Sequence, residues 1–302
     1  MAISRSQLAK ELEPGLNALF GMEYNRYEQQ HAEIFSTEAT VRAFELETLI
    51  VGFGNAKLKS EGQSVAFDQA SEGFTARYSH ETIALAFALT EEAIEDNLYD
   101  RLGARYTKAL ARSMAHTKQV KAASVLNNAF SSSFTGGDGV ALVSDSHPLT
   151  GGGTFSNRPS TYTDLNETSL EDALISVSTF VDDRNMVIAL QGTKLIVPPQ
   201  LQFVVDRLLQ TPGRVSTSDN DINAIKNMGM VPEGYSVNNF LTDTDAWFLL
   251  TDCPDGFKHF ERSPLSTSME GDFDTGNVRF KARERYSFGF SNPRAVFASQ
   301  GA

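Results

Sequence analysis

Apolar residues recur at nearly every fourth position through the middle of the chain, from Thr90 to about Phe130. This spacing is typical of one face of a helix, and the stretch contains no proline. Thr90 suits the N-cap position. At about 1.5 Å per residue, the predicted helix is roughly 60 Å long. We therefore expect a spine that joins subdomains, with a bend at its one interior glycine, Gly103.

Residues 1–43 are predicted to form an N-terminal arm. Leucines at helical spacing predict a short amphipathic helix, which Pro14 breaks or kinks. A second helical piece is predicted from Tyr24 to Phe35. The pattern leaves open whether the arm is an ordinary helix pair packed on its own domain.

From residue 44 to residue 89 the pattern becomes β-like. FELETLIVGF predicts a strand, and residues 57–78 are interpreted as a long, polar, two-stranded hairpin with an internal Glu61–Gly62. An isolated hairpin is marginally stable in water, so we expect another element, often another chain, to support it. The strand HETIALAFAL then leads into the spine.

Alternating helix and strand signals from residue 136 to residue 255 predict an inserted α/β subdomain. The predicted strands are Val140–Ser144, Met186–Leu190, Lys194–Val197, Tyr235–Leu241 and Ala246–Leu250, the last two around a turn. The predicted helices are Leu170–Asp182 and one that Pro198–Pro199 opens.

The stretch NVRFKARERYSFGF is the clearest strand in the sequence. Val278, Phe280 and Ala282 alternate with four basic residues, which predicts an apolar core face and a basic outer face. We expect this strand to share a sheet with the strand at 76–89, packed against the spine. Its basic face is typical either of an edge strand protected by charge or of a surface for an acidic partner, a neighbouring subunit or phosphate.

Composition and charge narrow the function classes. The 302 residues carry a net charge of −12, which disfavours a general nucleic-acid binder, because such proteins show a basic patch or stripe. The single cysteine, Cys253, excludes an intrachain disulfide. The longest purely apolar run, Ile83–Leu89, is too short to span a bilayer, and the N-terminus lacks an apolar signal core.

No enzyme site is predicted. The five histidines lack metal-ligand spacing, and the glycine runs at 136–139 and 151–153 lack the ending of a phosphate loop. Ser144, Asp145, Ser146 and His147 are adjacent, but no nucleophile elbow surrounds them. We therefore predict no catalytic, cofactor-binding or metal site, and no cofactor.

The predicted elements, taken in chain order, resemble those of tailed-phage major capsid proteins, which have the Hong Kong 97-like fold. Four stretches are similar to that family, especially to its Mu-type head subunits: LTEEAIEDNLYDRL, VALVSDSHPL, GTKLIVPPQLQFVVDRLL and RERYSFGFSNPRAVFAS. The resemblance implies an α+β fold with an N-terminal arm (1–43), an extended β-hairpin loop with flanking strands (44–80), a peripheral domain (81–135 and 256–302) with a spine helix (90–130), and an axial domain (136–255).

The resemblance also implies a function by self-assembly. Pentamers and hexamers would form the icosahedral head around double-stranded DNA, in a virion assembled in the host cytoplasm. The implied partners are other copies of the chain, a separate scaffolding protein, a portal, a decoration protein and DNA in non-specific contact only, with no membrane. The candidates for charged contacts between subunits are Lys57, Lys59, Glu61, Asp68, Glu72, Arg77, Arg279, Lys281, Arg283 and Arg285.

Two alternatives remain open from the sequence. One is an encapsulin-type compartment shell of the same fold, which the genomic neighbours would distinguish. The other is an α/β enzyme with the hairpin as a lid, although the sequence offers no nucleophile or phosphate motif for it.

Overall fold

The computed structural model describes residues 5–90, 92, 99–213, 221–272 and 276–302. Its helices are α1 (Arg5–Tyr24), α2 (Tyr99–Asn127), α3 (Glu167–Ser178), α4 (Gln202–Gln210) and α5 (Ala224–Met228). Its strands are β1 (Ser36–Ala39), β2 (Phe44–Val51), β3 (Ser71–Ser79), β4 (Glu81–Leu89), β5 (His147–Pro148), β6 (Thr154–Phe155), β7 (Gly192–Val197), β8 (Tyr235–Val237), β9 (Trp247–Thr251), β10 (Phe257–Gly271), β11 (Val278–Phe290) and β12 (Val296–Ser299). This mixture confirms the predicted α+β class.

A peripheral layer consists of the sheet β1-β10-β11-β4 with α1 and α2 packed on one face. Its core joins Leu16 and Phe20 of α1, Leu110 and Met114 of α2, and Phe280 of β11. β11 pairs antiparallel with both β10 and β4, so the predicted sheet partnership with β4 is confirmed. The interpretation of β11 as an edge strand is wrong, because both of its sides carry ladder hydrogen bonds.

The predicted spine is α2, which spans 29 residues and about 43 Å. Its predicted beginning at Thr90 adjoins residues 91 and 93–98, which lie outside the described part of the chain. Gly103 is buried within a continuous helix. A Cβ there would lie 3.7 Å from Leu89 Cδ1 and 3.9 Å from Leu16 Cδ2, which are ordinary contacts.

The N-terminal arm differs from its prediction in two places. α1 continues through Pro14, because the burial of Leu16 and Phe20 against α2 offsets the lost backbone hydrogen bond. The predicted helix from Tyr24 to Phe35 is wrong. The chain there forms a 3-10 turn at Gln30–Glu33 and then β1, whose backbone pairs in parallel with β10.

A second sheet, β12-β9-β7-β8, carries α3 and α4 against its core. α3 begins at a capping box formed by Asn166 and Ser169. The strands predicted at 235–241 and 246–250 are present as β8 and β9, although β8 ends at Val237. They do not pair with each other, because β7 lies between them. The sheet also includes β12, so the proposed axial domain would include residues 296–299.

Two predicted strands form only isolated bridges. Residues 140–144 contribute one bridge, between Thr135 and Ala141, and residues 186–190 contribute one, between Val181 and Val187. In the first segment the side chain of Asn157 accepts a hydrogen bond from Ser144 N and donates one to Leu142 O. These side-chain bonds replace the partners that a neighbouring strand would provide.

β2 and β3 form a separate antiparallel pair. The prediction of a two-stranded hairpin within 57–78 is wrong, because residues 52–70 form no strand and the partner of β3 is β2, the strand predicted from FELETLIVGF. Residues 52–70 between them contain a turn at Glu61–Gly62, where Gly62 has a φ of 81°. Among the described residues, no helix is long and apolar enough to cross a membrane.

Candidate assembly surfaces

The β2–β3 hairpin exposes its apolar side. Phe44, Leu46 and Ile50 are 43%, 54% and 79% exposed, whereas the intervening Glu45 and Glu47 are half-buried. This is the reverse of the usual arrangement, in which the polar side of a strand faces water. The sequence predicted a polar hairpin and not this apolar surface, although the alternation in FELETLIV is a signal of it.

The hairpin tip continues the exposed apolar surface. Phe53, Val65, Leu58 and Phe67 are exposed, the last two by 96% and 97%. We call the exposed apolar side of β2 together with these tip residues the hairpin surface. The candidate residues Lys57, Lys59 and Glu61 are exposed on the same tip.

The tip is tied to the body of its own chain at Asp68. The Arg184 guanidinium lies 3.0 Å from the Asp68 carboxylate, and Gly54 N donates to the same carboxylate at 2.7 Å. Hydrogen bonds from the backbone N–H groups of Gly54 and Gln69 lower the pKa of Asp68, and Arg184 adds to that effect. Asp68 therefore already has a cationic partner within the subunit.

The hairpin root is anchored by a buried ammonium group. Lys258, only 5% exposed, has its Nζ at 2.8 Å from Glu47, 3.0 Å from Glu38 and 3.0 Å from Asp255. Glu47 also accepts a hydrogen bond from Ser291 Oγ at 2.8 Å. The carboxylates raise the pKa of Lys258 against the opposing effect of burial, so the ammonium stays charged. This cluster fixes the hairpin to β1 and β10.

β11 presents a basic face on the side of the sheet away from α1 and α2. Its exposed residues are Arg279, Lys281 and Arg283, which alternate with buried Phe280, Ala282 and Glu284, as predicted. On β4 these three residues pair with Ala88, Ala86 and Ala84, in that order. On β10 they pair with Glu270, Ser268 and Ser266. We call this surface the basic face, and the alanines of β4 beside it leave room for a close-lying partner.

The remaining candidates occupy different surroundings. Arg285 is half-buried between Thr82 and Ser263, and Arg279 pairs with Asp272. The Arg77 guanidinium lies 4.8 Å from the centre of the Phe44 ring, at the hairpin root. Glu72 is exposed across from Ile50. The structure thus divides the ten candidates between the hairpin and the sheet of the peripheral layer.

Two buried histidines lie where the arm meets the sheet. The rings of His31 and His259 are 5.6 Å apart. Burial lowers the pKa of His31 to about 4 and that of His259 to about 3, and nearby Lys118 adds to both shifts. Burial raises the pKa of Glu284, whose carboxylate lies 3.5 Å from Lys118. Packing of the arm therefore depends on neutral imidazoles.

The residues that most resemble a catalytic set are held apart. The buried His147 ring bonds Asp138 at 2.6 Å, whereas Asp145 pairs with Arg158. Across the part of the chain that the structure describes, no group of three or more His, Cys, Asp and Glu residues is arranged to hold a metal ion. The prominent surfaces are therefore those suited to protein contacts.

Comparison with known proteins is consistent with these surfaces. A family model described as phage capsid protein matches residues 73–299. No curated protein matches the chain in sequence.

Solved structures are similar in fold at low sequence identity. The match to a virus-like particle from Pyrococcus furiosus covers 94% of this chain and 97% of the particle's chain, with 10% identity and a TM-score of 0.54. The match to the procapsid of bacteriophage JBD30 covers 98% of this chain and 76% of the procapsid chain, with 14% identity and a TM-score of 0.53. The capsid of an empty GTA particle matches 89% of each chain, with 14% identity and a TM-score of 0.52.

Proposed function

The chain belongs to the phage capsid protein family, and on that premise we propose that it is the major subunit of a phage head, which encloses the double-stranded DNA genome. It acts by self-assembly rather than by catalysis. One chain tiles a closed shell through heterologous contacts that close around five-fold and six-fold axes, as pentamers and hexamers. Obligate contacts of this kind bury roughly 2,000–5,000 Å² or more.

The observation that carries this proposal is the uncovered hairpin surface. A monomer rarely exposes so many large apolar side chains together. Burying each of them stabilises an interface by about 1.5–3 kcal/mol before the cost of association. A second copy of the chain is the partner that a shell supplies to every subunit. The residues concerned are Phe44, Leu46, Ile50, Phe53, Leu58, Val65 and Phe67.

We propose that the hairpin of one subunit lies on the basic face of its neighbour. Glu61 and Glu72 are exposed on the hairpin, and neither forms an ion pair with any residue that the structure describes. The same holds for Lys281 and Arg283 on the basic face. Opposite charges on two uncovered surfaces favour their pairing across the contact. The row of small residues on β4 gives the apolar side chains of the hairpin space to pack.

The two hairpin lysines fit a different acidic partner. Lys57 and Lys59 are exposed at the tip. The neighbour's acidic stretch from Glu91 to Asp96 contains four carboxylates in the sequence, and we propose it as the partner of these lysines. This assignment leaves Asp68 to its Arg184 contact within the subunit.

A charge-swap experiment tests the hairpin contact. Glu61→Lys with Glu72→Lys, and separately Lys281→Glu with Arg283→Glu, should each reduce the yield of shells seen by electron microscopy. The combined fourfold variant should recover shells, because the swapped charges again attract. Arg26→Glu, a change at an exposed residue of the arm, is the control and should assemble normally. Shells from both double variants at wild-type yield would refute the contact.

The remaining partners follow from the shell function. We propose a separate scaffolding protein, a portal and a decoration protein as partners, non-specific contact with DNA, and assembly in the host cytoplasm. The family match favours a phage head over a cargo-loaded compartment of the same fold, and nuclease-protected DNA inside purified particles would distinguish the two. The finer likeness to Mu-type head subunits stays an inference from the sequence.

A further inference from the structure

α2 carries an unneutralised positive charge in an acidic chain. The sequence from Arg101 to Gly137 contains six basic residues and no acidic residue, although the whole chain has a net charge of −12. Lys118 and Lys121 are paired, with Glu284 at 3.5 Å and Glu81 at 2.5 Å. Three of the other four, Arg105, Lys108 and Arg112, lie in the N-terminal half of α2.

Three of these cations lie on one side of the helix. Arg105, Lys108 and Arg112 are exposed, and they form no ion pair within the described ranges. Their spacing of three and four residues aligns them along about 10 Å of the helix. The opposite side of α2, with Leu110 and Met114, packs against α1 and β11. We call these three residues the α2 stripe, and it faces away from the sheet that carries the basic face.

The surroundings of the α2 stripe favour a nucleic acid over a protein as its partner. Between the cations, Ala109 is exposed, and Ser113 follows Arg112. Tyr106 is half-exposed but packs its ring against Phe87 at 5.7 Å between centroids. The stripe thus lacks the free aromatic or large apolar anchors that dominate protein interfaces. A phosphate backbone requires only cations at fixed positions, and a duplex presents one negative charge per about 1.7 Å of its axis.

We propose that the α2 stripe contacts the phosphate backbone of packaged double-stranded DNA, so that the helix side of the peripheral layer faces the lumen of the shell. This inference rests on the proposed head function. The contact reads no base sequence, because contacts to phosphates position a protein on the duplex but carry no sequence information. Each cation releases counterions from the duplex, so the attraction weakens as the salt concentration rises.

Salt-dependent binding of a short DNA duplex tests the site. Full-length unassembled subunits are titrated by fluorescence anisotropy over a range of salt concentrations. Each of Arg105→Gln, Lys108→Gln and Arg112→Gln should reduce the slope of log K against log salt by about 0.9, and the triple variant by about 2.7. Lys121→Gln is the control on the same helix, and it should keep the wild-type slope because Glu81 already neutralises Lys121.

Two results of the binding titration would overturn the proposal. One is a wild-type chain that does not bind the duplex, and the other is a triple variant with the wild-type slope. Electron microscopy of the triple variant separates this site from the shell function, because we expect normal shells that hold less DNA. Loss of shells with unchanged DNA binding would assign the stripe to a protein contact and also refute the proposal. Failure of the wild-type chain to form shells, both alone and with a scaffolding protein, would instead count against the head function.

Discussion

Lys258→Met should loosen the hairpin root more than any surface substitution in the hairpin. The ammonium lies within 3.0 Å of three carboxylates from three segments, and methionine retains the length of the side chain without its charge. The substitution leaves Glu38, Glu47 and Asp255 facing one another without a counter-ion. We therefore expect the hairpin to detach locally while the two large sheets stay folded.

The size of the effect follows from burial. Removing one partner of a fully buried ion pair costs about 3–5 kcal/mol. Glu38 and Asp255 are 48% and 66% exposed, so water compensates part of their loss, while Glu47 at 23% is compensated less. We expect the free energy of unfolding to fall by about 2–3 kcal/mol. For a chain of 302 residues that corresponds to a Tm lower by about 3–5 °C.

Hydrogen exchange and thermal melting of the unassembled chain measure this prediction. Amides of β2 and β3 should exchange faster in Lys258→Met, and those of β7 and β9 should not change. Glu38→Gln is the matched control, since Lys258 keeps two carboxylates, and it should cost less than about 1 kcal/mol. A Lys258→Met chain with wild-type Tm and wild-type exchange in β2 and β3 would refute the role of the cluster as the hairpin anchor.

Three further predictions concern the arm, the hairpin tip and the spine. The pKa values of His31 and His259 lie below the unfolded value of about 6.5, so the free energy of unfolding should be highest above pH 6.5 and fall as the pH drops toward 4 and then 3. In urea titrations, His31→Gln should reduce this acid-induced loss of stability by about 3 kcal/mol. An unchanged pH dependence in the variant would contradict the assignment. Lys57→Glu with Lys59→Glu should reduce shell yield while the circular dichroism of the monomer stays native, and loss of the monomer fold would mean that the tip supports its own subunit. Gly103→Ala should raise the free energy of unfolding by about 0.5–1 kcal/mol, since its Cβ meets only ordinary contacts, and narrow the distribution of particle sizes; an unchanged distribution would remove the bend hypothesis.

The elements that the sequence predicted well are those whose periodicity reports burial directly. α2 and β11 each bury one face, and Phe280 and Ala282 alternate with cations as a half-buried strand requires. α1 was underestimated because burial of Leu16 and Phe20 against α2 outweighs the local preference of Pro14. Local propensity carries no information about that distant partner.

β10 was missed for a local reason. It contains Pro264, and its register with β11 shifts between Glu261 and Ser263 and again between Ser263 and Ser266. Proline within a strand and an interrupted alternation both weaken the sequence pattern, although bulges accommodate them.

The candidate surfaces were predicted only in part. The basic residues of β11 follow from its alternation. The Lys258 cluster joins Glu38, Glu47 and Asp255 from separate segments, so no sequence spacing indicates it. The exposed apolar side of β2 was missed because alternation shows that two faces differ but not which one lies toward the protein's own core.

A cryo-electron microscopy reconstruction of particles assembled from this chain tests the proposed hairpin contact most directly. We predict a closed shell in which residues 44–79 of each subunit lie across the β4–β11 face of a neighbour, with Glu61 or Glu72 at ion-pair distance from Lys281 or Arg283. A shell in which the hairpin packs only on its own subunit, or projects into solvent with its apolar surface uncovered, would contradict it.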